Sequence, residues 1–401
     1  MRIVIENAKL VLPERIIDKG HLVCSDGILS DIGEGICERG FESDLRIDAQ
    51  GLYVSPGFID IHTHGAGGYD FMDNTTEAFL GAARTHARYG TTALVPTTLT
   101  TTTEELLNTF PIFEQAKRLN HDGAALLGLH LEGPYFAYNQ RGAQDPKYLR
   151  NPDPDEYNAI LDVGQHLIVR WSIAPELDGA LELGRKLREK GILVSLGHTD
   201  ALYEEVAEAC KSGFSHVTHL YSCMSTITRR NAYRYAGAVE AAYALDDLSV
   251  EIIADGIHLP KSLLQFVCKF KNRDMIALCT DSMRAAGMPD GEYLLGSVAQ
   301  GRKVIVEDGV AKLPDRSAFA GSVATADRLV RTMIQLAEIP LPDAVKMMTL
   351  NPARMLGIDH RKGSLEMGKD ADIVLFDDDI SVQATILKGN FIYSKTNYIH
   401  P

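Results

Sequence analysis

The middle of the chain alternates between short apolar runs and stretches with helical periodicity. The helical stretches place apolar residues three and four apart and predict helices over Thr76–Tyr89, Thr103–Leu119, Leu177–Lys190, Tyr203–Lys211 and Leu259–Lys271. Apolar or β-branched runs lie between them and predict eight strands, Gly57–His62, Thr92–Thr97, Ala124–Leu131, Leu167–Ala174, Leu193–Gly197, Ser215–Leu220, Val250–Ala254 and Met275–Cys279. Continuous apolar runs that alternate with helices are typical of buried parallel strands. Eight of them predict an α/β fold, a (β/α)8 TIM-type barrel rather than a doubly wound sheet.

Both ends of the chain follow a different pattern, in which short strands are separated by turns and only a short helix is expected, near residue 40. The predicted strands are Arg2–Ile5, Ala8–Leu12, His21–Cys24, Ile28–Ile32 and Leu45–Asp48 at one end, and Ala371–Phe376, Val382–Leu387 and Asn390–Tyr393 at the other. We therefore expect a small β-sandwich domain built from residues 1–55 and 360–401. The barrel would then occupy residues 56–359.

One part of the barrel region departs from the strand and helix rhythm. Residues 283–320 are rich in glycine and contain two β-like stretches, Lys303–Val306 and Val310–Leu313. They predict a β-hairpin insertion over the barrel mouth, followed by an amphipathic helix over Ala324–Ala337. No GxGxxG or P-loop sequence follows any predicted strand, which argues against a nucleotide-binding α/β fold.

The composition narrows the class of protein. The chain has 401 residues, of which 45% are hydrophobic and 23% charged, as in ordinary globular proteins. Its formal net charge of −14 argues against a nucleic-acid partner and favours a soluble enzyme. The six cysteines form no CxxC pair, which indicates neither a disulfide framework nor a thiolate zinc site. With no signal-peptide core and no apolar run near ~20 residues, we expect a cytoplasmic protein without a membrane partner.

Two histidines end the first predicted strand. Residues i and i+2 of a strand project from the same face, so His62 and His64 point the same way. Two imidazoles on a rigid strand make half of a divalent metal site. Two hydrogen-bonded histidines near a loop would show the same pattern, so the pair alone leaves both interpretations open.

Further side chains of the same chemistry follow later strands. In barrels of this type the chemistry gathers at the carboxyl ends of the strands. Glu132 ends the third strand, Asp281 follows the eighth, and six of the thirteen histidines lie at strand ends: His62, His64, His130, His198, His219 and His258. Chance would distribute histidines along helices and loops as well. Their joint placement predicts a metal-dependent site.

The type of ligand indicates the metal and the reaction. Imidazole and carboxylate without thiolate favour Zn²⁺, Fe²⁺, Mn²⁺, Co²⁺ or Ni²⁺. Such an ion lowers the pKa of bound water and polarises a carbonyl, as amide hydrolysis requires. Asp281 could take the proton of that water and pass it to the departing amine. His258 is placed to bind substrate rather than the metal.

Structural interpretations remain open for several of these residues. Glu132 precedes Gly133 and Pro134 and could cap backbone amides, although a buried carboxylate needs a partner. His198 and His219 could be core histidines, and His216 is expected to be one. His130 could support a ligand instead of binding the ion. The other histidines are interpreted as surface residues: His86, His121, His166, His360 and His400.

The motifs resemble those of the N-acetylglucosamine-6-phosphate deacetylase family, within the amidohydrolase superfamily. The resemblance runs nearly from end to end and rests on residues 56–60, 130–134, 197–201, 218–221, 254–258, 280–281, 320–322, 351–354, 363–365 and 368–372. It implies that Glu132, His198 and His219 bind the principal metal ion. Asp281 matches the catalytic acid and base of the family, and His258 matches a substrate-binding histidine.

The resemblance also implies a second ion and a second subunit. His62 and His64 match the pair that holds a second metal in some family members, with Glu132 bridging the ions. We therefore predict two divalent ions per subunit. The partner expected is a second copy, because family members are homodimers in which the partner subunit supplies an arginine to the phosphate of a small phosphosugar.

Three departures from the family pattern bear on the substrate. Ser222 and Cys223 stand where the family has Asn-Ala, and Gln144 replaces a histidine. Gln144 can donate a hydrogen bond to a carbonyl but carries no charge. The usual Arg-Glu-Pro-Gly becomes Arg230-Asn231-Ala232-Tyr233, which leaves a cluster of Arg229, Arg230 and Arg234. Guanidinium groups suit a phosphate, although a solvated loop has the same composition.

The expected reaction is hydrolysis of the acetamide of N-acetylglucosamine-6-phosphate to glucosamine-6-phosphate and acetate, in amino-sugar catabolism. The changed pocket residues leave N-acetylgalactosamine-6-phosphate, or another N-acyl compound, open as the substrate. A non-catalytic binding member of the fold is the remaining alternative.

Overall fold

A parallel barrel forms the centre of the molecule. The computed structural model describes residues 2–37 and 45–395. The eight predicted barrel strands are all present, with the third interrupted: Phe58–Thr63, Thr91–Thr98, Ala125–Leu126 with Leu129–Glu132, Ile168–Ile173, Leu193–Leu196, Phe214–Val217, Ser249–Ile252 and Ile276–Leu278. Each pairs in parallel with the next in chain order. The predicted TIM-type fold is confirmed.

The barrel closes through backbone just beyond its eighth strand. The Asp281 amide donates to the His62 carbonyl at 2.8 Å, and the His64 amide donates to the Ser282 carbonyl at 2.8 Å. Thr63 and Ser282 form an isolated parallel bridge between the same segments. The closure therefore brings Asp281 against the two histidines that follow the first strand.

Helices connect most of the barrel strands along the chain. They span Thr76–Ala87, Thr103–Leu119, Pro154–Gly164, Ala180–Glu189, Tyr203–Lys211, Ala238–Ala244, Lys261–Phe270, Ala326–Gln335, Leu341–Met348 and Leu350–Met355, with short 3₁₀ turns at Phe71–Asp73, Tyr138–Gln140, Pro146–Tyr148 and Arg273–Met275. Two predicted helices have the expected bounds, Thr103–Leu119 and Tyr203–Lys211. The helix predicted from Leu177 begins only at Ala180, because Gly179 has a left-handed backbone (φ +84°).

The two chain ends form one small β unit. Within residues 2–37, 45–56 and 373–395, eight strands make a single hydrogen-bonded sheet: Arg2–Val11, Ile16–Ser25, Ile28–Glu34, Leu45–Asp48, Tyr53–Pro56, Ile373–Phe376, Val382–Leu387 and Asn390–Ser394. The strand Ile373–Phe376 pairs with Tyr53–Pro56 and so joins the carboxyl end to the amino end. Ile5, Leu10, Val54 and Ile386 belong to the buried core of this sheet. The short helix expected near residue 40 lies outside the described residues.

An antiparallel insertion lies over one side of the barrel mouth. It has three strands, Gly291–Leu295, Arg302–Glu307 and Val310–Lys312. The first was not predicted, because its start is polar. Its Leu295 packs with Met283 and Ala320, which follow the eighth barrel strand and precede the next helix. Small antiparallel ribbons pair Gly65–Ala66 with Tyr69–Asp70, and Thr228–Arg230 with Tyr233–Tyr235. Among the described residues, none of the helices is long and apolar enough to cross a bilayer.

Candidate metal centre and active site

A cavity of about 310 Å³ opens at the carboxyl ends of the barrel strands. Nine of the predicted site residues line it: His64, Glu132, Gln144, His198, His219, Ser222, Cys223, His258 and Asp281. His62 is fully buried behind them. The insertion supplies Leu295 and Phe319 to the wall. The strand-end residues that the sequence pattern grouped are therefore together in space.

Glu132, His198 and His219 form the first group of potential metal ligands. Glu132 Oε1 lies 3.2 Å from His198 Nε2 and 3.1 Å from His219 Nε2, and the two nitrogens are 3.2 Å apart. Metal–ligand bonds of about 2.1 Å in tetrahedral geometry separate ligand atoms by roughly 3.4 Å. All three side chains are buried. Their atoms are therefore spaced for one divalent ion.

His62, His64 and Asp281 form a second group of potential metal ligands beside the first. Asp281 Oδ1 lies 3.4 Å from His62 Nε2 and 3.2 Å from His64 Nε2. Glu132 lies between the groups, since its Oε1 is 3.5 Å from His62 Nε2 and its Oε2 is 3.3 Å from His64 Nε2. The carboxylate of Glu132 is thus placed to serve two ions.

The histidine rings present their Nε2 atoms to the carboxylates because other groups occupy Nδ1. His64 Nδ1 lies 3.2 Å from the Thr97 carbonyl, and His198 Nδ1 lies 2.8 Å from the Gln140 carbonyl. A carbonyl only accepts, so both rings carry hydrogen on Nδ1 and leave Nε2 as the atom that could bind an ion. Buried metal-binding histidines are typically held in this way. His62 Nε2 has no hydrogen-bond partner among the described residues, which also fits a site for an ion.

Three of these residues have a backbone conformation that is uncommon for side-chain-bearing residues. The φ angles of His198, His219 and Asp281 are +47°, +29° and +46°. Left-handed conformations outside glycine cost of order 1–3 kcal/mol and cluster at functional sites. At each position the chain turns just after a barrel strand, and the turn directs the side chain into the cavity.

The electrostatics keep both carboxylates ionised. Burial alone would raise the pKa of Glu132, but the surrounding histidines outweigh it and hold the pKa well below its usual value. Asp281 behaves in the same way, with His62 and His64 lowering its pKa against the effect of burial. Burial lowers the pKa of His64, but hydrogen bonds to Asp281 and Glu132 prevail and raise it to about 10. The two ionised carboxylates therefore favour binding of positively charged ions in this site.

Some of the predicted substrate-binding residues line the cavity, among them His258 and Gln144, and the predicted arginines do not. His258 donates from Nδ1 to Asp255 at 2.7 Å, and its ring lies against Phe319. Gln144 already uses both ends of its amide, since Nε2 donates to Glu132 Oε2 at 2.7 Å and Oε1 accepts from the Thr100 amide at 2.9 Å. One N–H of Gln144 remains for a substrate carbonyl.

Arg229, Arg230 and Arg234 are not among the residues that line the cavity of this chain. They are exposed on the ribbon of Thr228–Arg230 and Tyr233–Tyr235. Arg229 lies opposite Arg234, while Arg230 lies opposite Tyr233 on the other face of the ribbon.

The sequence interpretation of the other histidines was right in part. His216 is a buried core residue whose Nδ1 contacts Ser249 Oγ at 2.8 Å, as expected. His130 is also buried and contacts Ser172 and Thr97 rather than the carboxylates, so it supports the site from behind. His86 was wrongly placed on the surface. It is buried beneath the site and contacts Thr63 Oγ1 at 3.0 Å. His400 lies outside the described residues.

Arg170 and Glu251 were missed by the sequence analysis. Both are fully buried inside the barrel, where they pair with each other and contact the back of the site. Each is a charged residue within an otherwise apolar strand run. That exception to the pattern was the signal that could have identified them.

Comparison with known proteins gives a consistent relationship. The model of the amidohydrolase family matches residues 53–396. An N-acetylglucosamine-6-phosphate deacetylase from Bacillus subtilis is 33% identical over 395 residues, 98% of this chain and 97% of the relative. An N-acetylgalactosamine-6-phosphate deacetylase from Escherichia coli O157:H7 is 32% identical over 386 residues, 96% of this chain and 98% of the relative.

The fold agrees with solved structures over the same length. A mutant N-acetyl-D-glucosamine-6-phosphate deacetylase from Mycobacterium smegmatis, in complex with N-acetyl-D-glucosamine-6-phosphate, superposes with a TM-score of 0.89 at 30% identity. The match covers 98% of this chain and all of the other. The deacetylase from Pasteurella multocida superposes with a TM-score of 0.90 at 28% identity, again over 98% of this chain.

Proposed function

The chain belongs to the amidohydrolase family, and we propose that it hydrolyses the acetamide of N-acetylglucosamine-6-phosphate to glucosamine-6-phosphate and acetate. The observation that carries the proposal is the paired ligand groups around Glu132, with Asp281 beside them at the base of the cavity. Relatives that carry this activity in their names cover nearly the full chain and support the choice of substrate.

The proposed cofactor is a pair of divalent ions, from among Zn²⁺, Fe²⁺, Mn²⁺, Co²⁺ and Ni²⁺. Glu132, His198 and His219 would hold the principal ion, and His62 and His64 the second, with Glu132 shared. The nitrogen and oxygen donors of these groups support metals of this class. Ions in such a site lower the pKa of water and polarise a carbonyl oxygen.

The side chains around that site divide the remaining work. Asp281 is ionised and faces the cavity, so it is suited to accept a proton from the attacking water and return it to the departing amine. His258, whose Nδ1 is held by Asp255, presents Nε2 for a hydrogen bond to the substrate. Gln144, Ser222 and Cys223 line the wall where the sugar would be recognised.

The phosphate is proposed to bind at an interface between two subunits. Arg229, Arg230 and Arg234 are exposed on a ribbon and are separate from the residues that line the cavity of the same chain. An exposed arginine is suited to reach the cavity of a partner copy and to bind phosphate through its guanidinium fork. We therefore propose a cytoplasmic homodimer in which each subunit contributes an arginine to the other.

A second candidate substrate is N-acetylgalactosamine-6-phosphate. A relative named for that substrate is as similar to this chain as several of those named for the glucose epimer. Ser222, Cys223 and Gln144 line the cavity at positions that differ from the usual family residues. Different side chains in the cavity lining can change which epimer the enzyme prefers, while the residues proposed for hydrolysis stay the same.

A substrate panel tests the proposal. Acetate release would be measured for both N-acetylated epimers, each with and without the 6-phosphate, on enzyme reconstituted with Zn²⁺ or Fe²⁺. We expect the highest kcat/KM for N-acetylglucosamine-6-phosphate. A higher kcat/KM for the galactose epimer would support the second candidate. No release from any of the four, with metal bound, would favour a non-catalytic role and contradict the proposal.

A further inference from the structure

Arg170 and Glu251 form an ion pair in the barrel interior, behind the metal centre. Arg170 lies on the fourth barrel strand and Glu251 on the seventh, and neither side chain has any exposed surface. Arg170 Nη1 donates to Glu251 Oε2 at 2.5 Å, and Arg170 Nη2 donates to Oε1 at 2.9 Å. A buried pair of this kind adds little stability compared with apolar residues of similar size. A role beyond stability is therefore the better explanation.

Glu251 connects this pair to His62. Glu251 Oε1 lies 2.7 Å from His62 Nδ1 and also accepts from the His219 backbone amide at 3.2 Å. A carboxylate held by a guanidinium fork only accepts hydrogen bonds, so His62 must carry its hydrogen on Nδ1. In the neutral ring, which is the form that binds a metal, the lone pair is then on Nε2. That atom lies 3.4 Å from Asp281 Oδ1 and 3.5 Å from Glu132 Oε1.

We propose that the Arg170–Glu251 pair is a positioning device for the second metal ion. It holds the ring of His62 in place with Nδ1 protonated and Nε2 available as a ligand. The inference rests on the proposed two-ion function. The principal site depends less on the pair, because the ring of His198 is held by the Gln140 carbonyl and Glu251 meets His219 only at its backbone amide. Loss of the acceptor that the pair provides for His62 should therefore weaken the second site more than the first.

A competing possibility is that Glu251 itself binds a metal. Ligand atoms of His62, Glu251 and Cys279 lie close enough together to hold an ion. Both carboxylate oxygens of Glu251, however, are engaged by Arg170. The guanidinium supplies the positive charge at that point, so Glu251 acts on the metal centre as a hydrogen-bond acceptor, for the His62 ring and the His219 amide, and not as a ligand.

The test compares two double variants from which the buried charges are removed. Arg170→Met/Glu251→Leu leaves His62 Nδ1 without an acceptor. Arg170→Met/Glu251→Gln is the matched control, because the amide oxygen can still accept from His62. Its amide nitrogen can donate to His216 Nε2, which has no other hydrogen-bond partner among the described residues and lies 3.6 Å from Glu251 Oε2. Neither variant contains an unpaired buried charge.

The readouts are metal content per subunit and the affinity for each Zn²⁺ ion. We expect the Leu variant to keep the first ion and to bind the second about 10- to 100-fold more weakly, as is typical when such a supporting partner is lost. The Gln variant should keep both ions. Retention of the first ion shows that a variant has folded.

Three outcomes would overturn the inference. Equal loading of two ions in both variants would show that the second ion binds without an acceptor for His62 Nδ1. Loss of the second ion from both variants would show that such an acceptor is not sufficient to keep the second site. A wild-type chain that binds a single ion would overturn both this inference and the two-ion proposal. The first two outcomes would overturn the inference alone, because the wild-type chain would still bind two ions. If the Leu variant does not fold, ¹⁵N chemical shifts of His62 in the wild-type zinc protein decide the question, because a protonated Nε2 contradicts the inference.

Discussion

The two carboxylate oxygens of Glu132 face different histidines, so the proposed metal binding depends on the position of single atoms. One of its oxygens faces His198 and His219, and the other faces His64. Because hydrogen-bond acceptors on the far side of the rings occupy Nδ1 of His64 and His198, the Nε2 atoms converge on this one carboxylate. The proposed ligand set thus depends on ring orientation as well as on residue type.

Asp281→Asn should remove most turnover, by about 10²–10⁴-fold in kcat, because the amide cannot accept the proton of the attacking water. Metal content should stay close to that of the wild type, because the amide keeps an oxygen beside His62 and His64. Rates of acetate release and metal analysis measure the two effects. Glu132→Gln is the comparison variant and should lose metal. Unchanged turnover in Asp281→Asn would rule out Asp281 as the acid and base.

Metal binding should release protons. The carboxylates around His64 raise its pKa to about 10, so its ring is protonated in the metal-free protein near neutral pH. An ion binds only the neutral ring, and its affinity must therefore fall as the pH is lowered below about 10. Calorimetric titration with Zn²⁺ in two buffers of different ionisation enthalpy measures the protons released. Heats that do not depend on the buffer would contradict this expectation.

At the scale of an element, the ribbon of Thr228–Arg230 and Tyr233–Tyr235 separates its charges by face. Arg229 and Arg234 lie opposite each other on one face. Arg230 is on the other face with Tyr233, and its guanidinium lies over the ring of Tyr235 at 5.6 Å. An element this exposed has few contacts of its own with the barrel, which fits a role in reaching a second subunit.

Arg230→Ala should raise KM for the phosphorylated substrate about 10- to 100-fold, because a hydrogen bond between charged groups is worth about 1.5–3 kcal/mol. KM for the same sugar without phosphate should not change. The double variant Arg229→Ala/Arg234→Ala removes charge from the opposite face and is the matched control, with a smaller effect expected. Steady-state kinetics on both sugars provide the measurement. Equal increases in KM for the two sugars would mean that Arg230 does not contact the phosphate.

At the scale of the whole molecule, part of the terminal sheet packs into the hydrophobic core of the barrel region. Val374 and Phe376 of the terminal sheet belong to the same buried cluster as Phe58 and Phe79 of the barrel region. His86 lies in this region, on the buried face of the helix Thr76–Ala87. Burial lowers its pKa to about 4, so the folded chain keeps this ring neutral in mild acid.

This burial predicts a loss of stability in acid. The pKa of His86 is lower in the folded than in the unfolded chain, where it is about 6.5, so the unfolded chain binds the proton first as the pH falls. The free energy of unfolding should decrease between about pH 6.5 and pH 4, by about 3 kcal/mol from this residue. His86→Gln should lack that part of the decrease. Urea unfolding of both metal-free proteins across this range measures it, and identical pH profiles would contradict the prediction.

The sequence alone determined the barrel and brought together most of the residues that line the cavity at its carboxyl end. Apolar runs that alternate with helical periods have few solutions other than parallel strands covered by helices, and parallel strands bring their carboxyl ends to one side. Glu132, His198, His219 and Asp281 could therefore be grouped by position, although 149 positions separate the first from the last.

Only the tertiary structure decided how that group is supported. The partner of Glu251 is 81 residues away on another strand, and a charge within an apolar run does not indicate which opposite charge it will meet. The burial of His86 was hidden for a similar reason, because a single histidine on a helix does not show what packs against it. Contacts between side chains across the barrel depend on how the strands close around the interior. The local order of apolar and polar residues does not specify that closure.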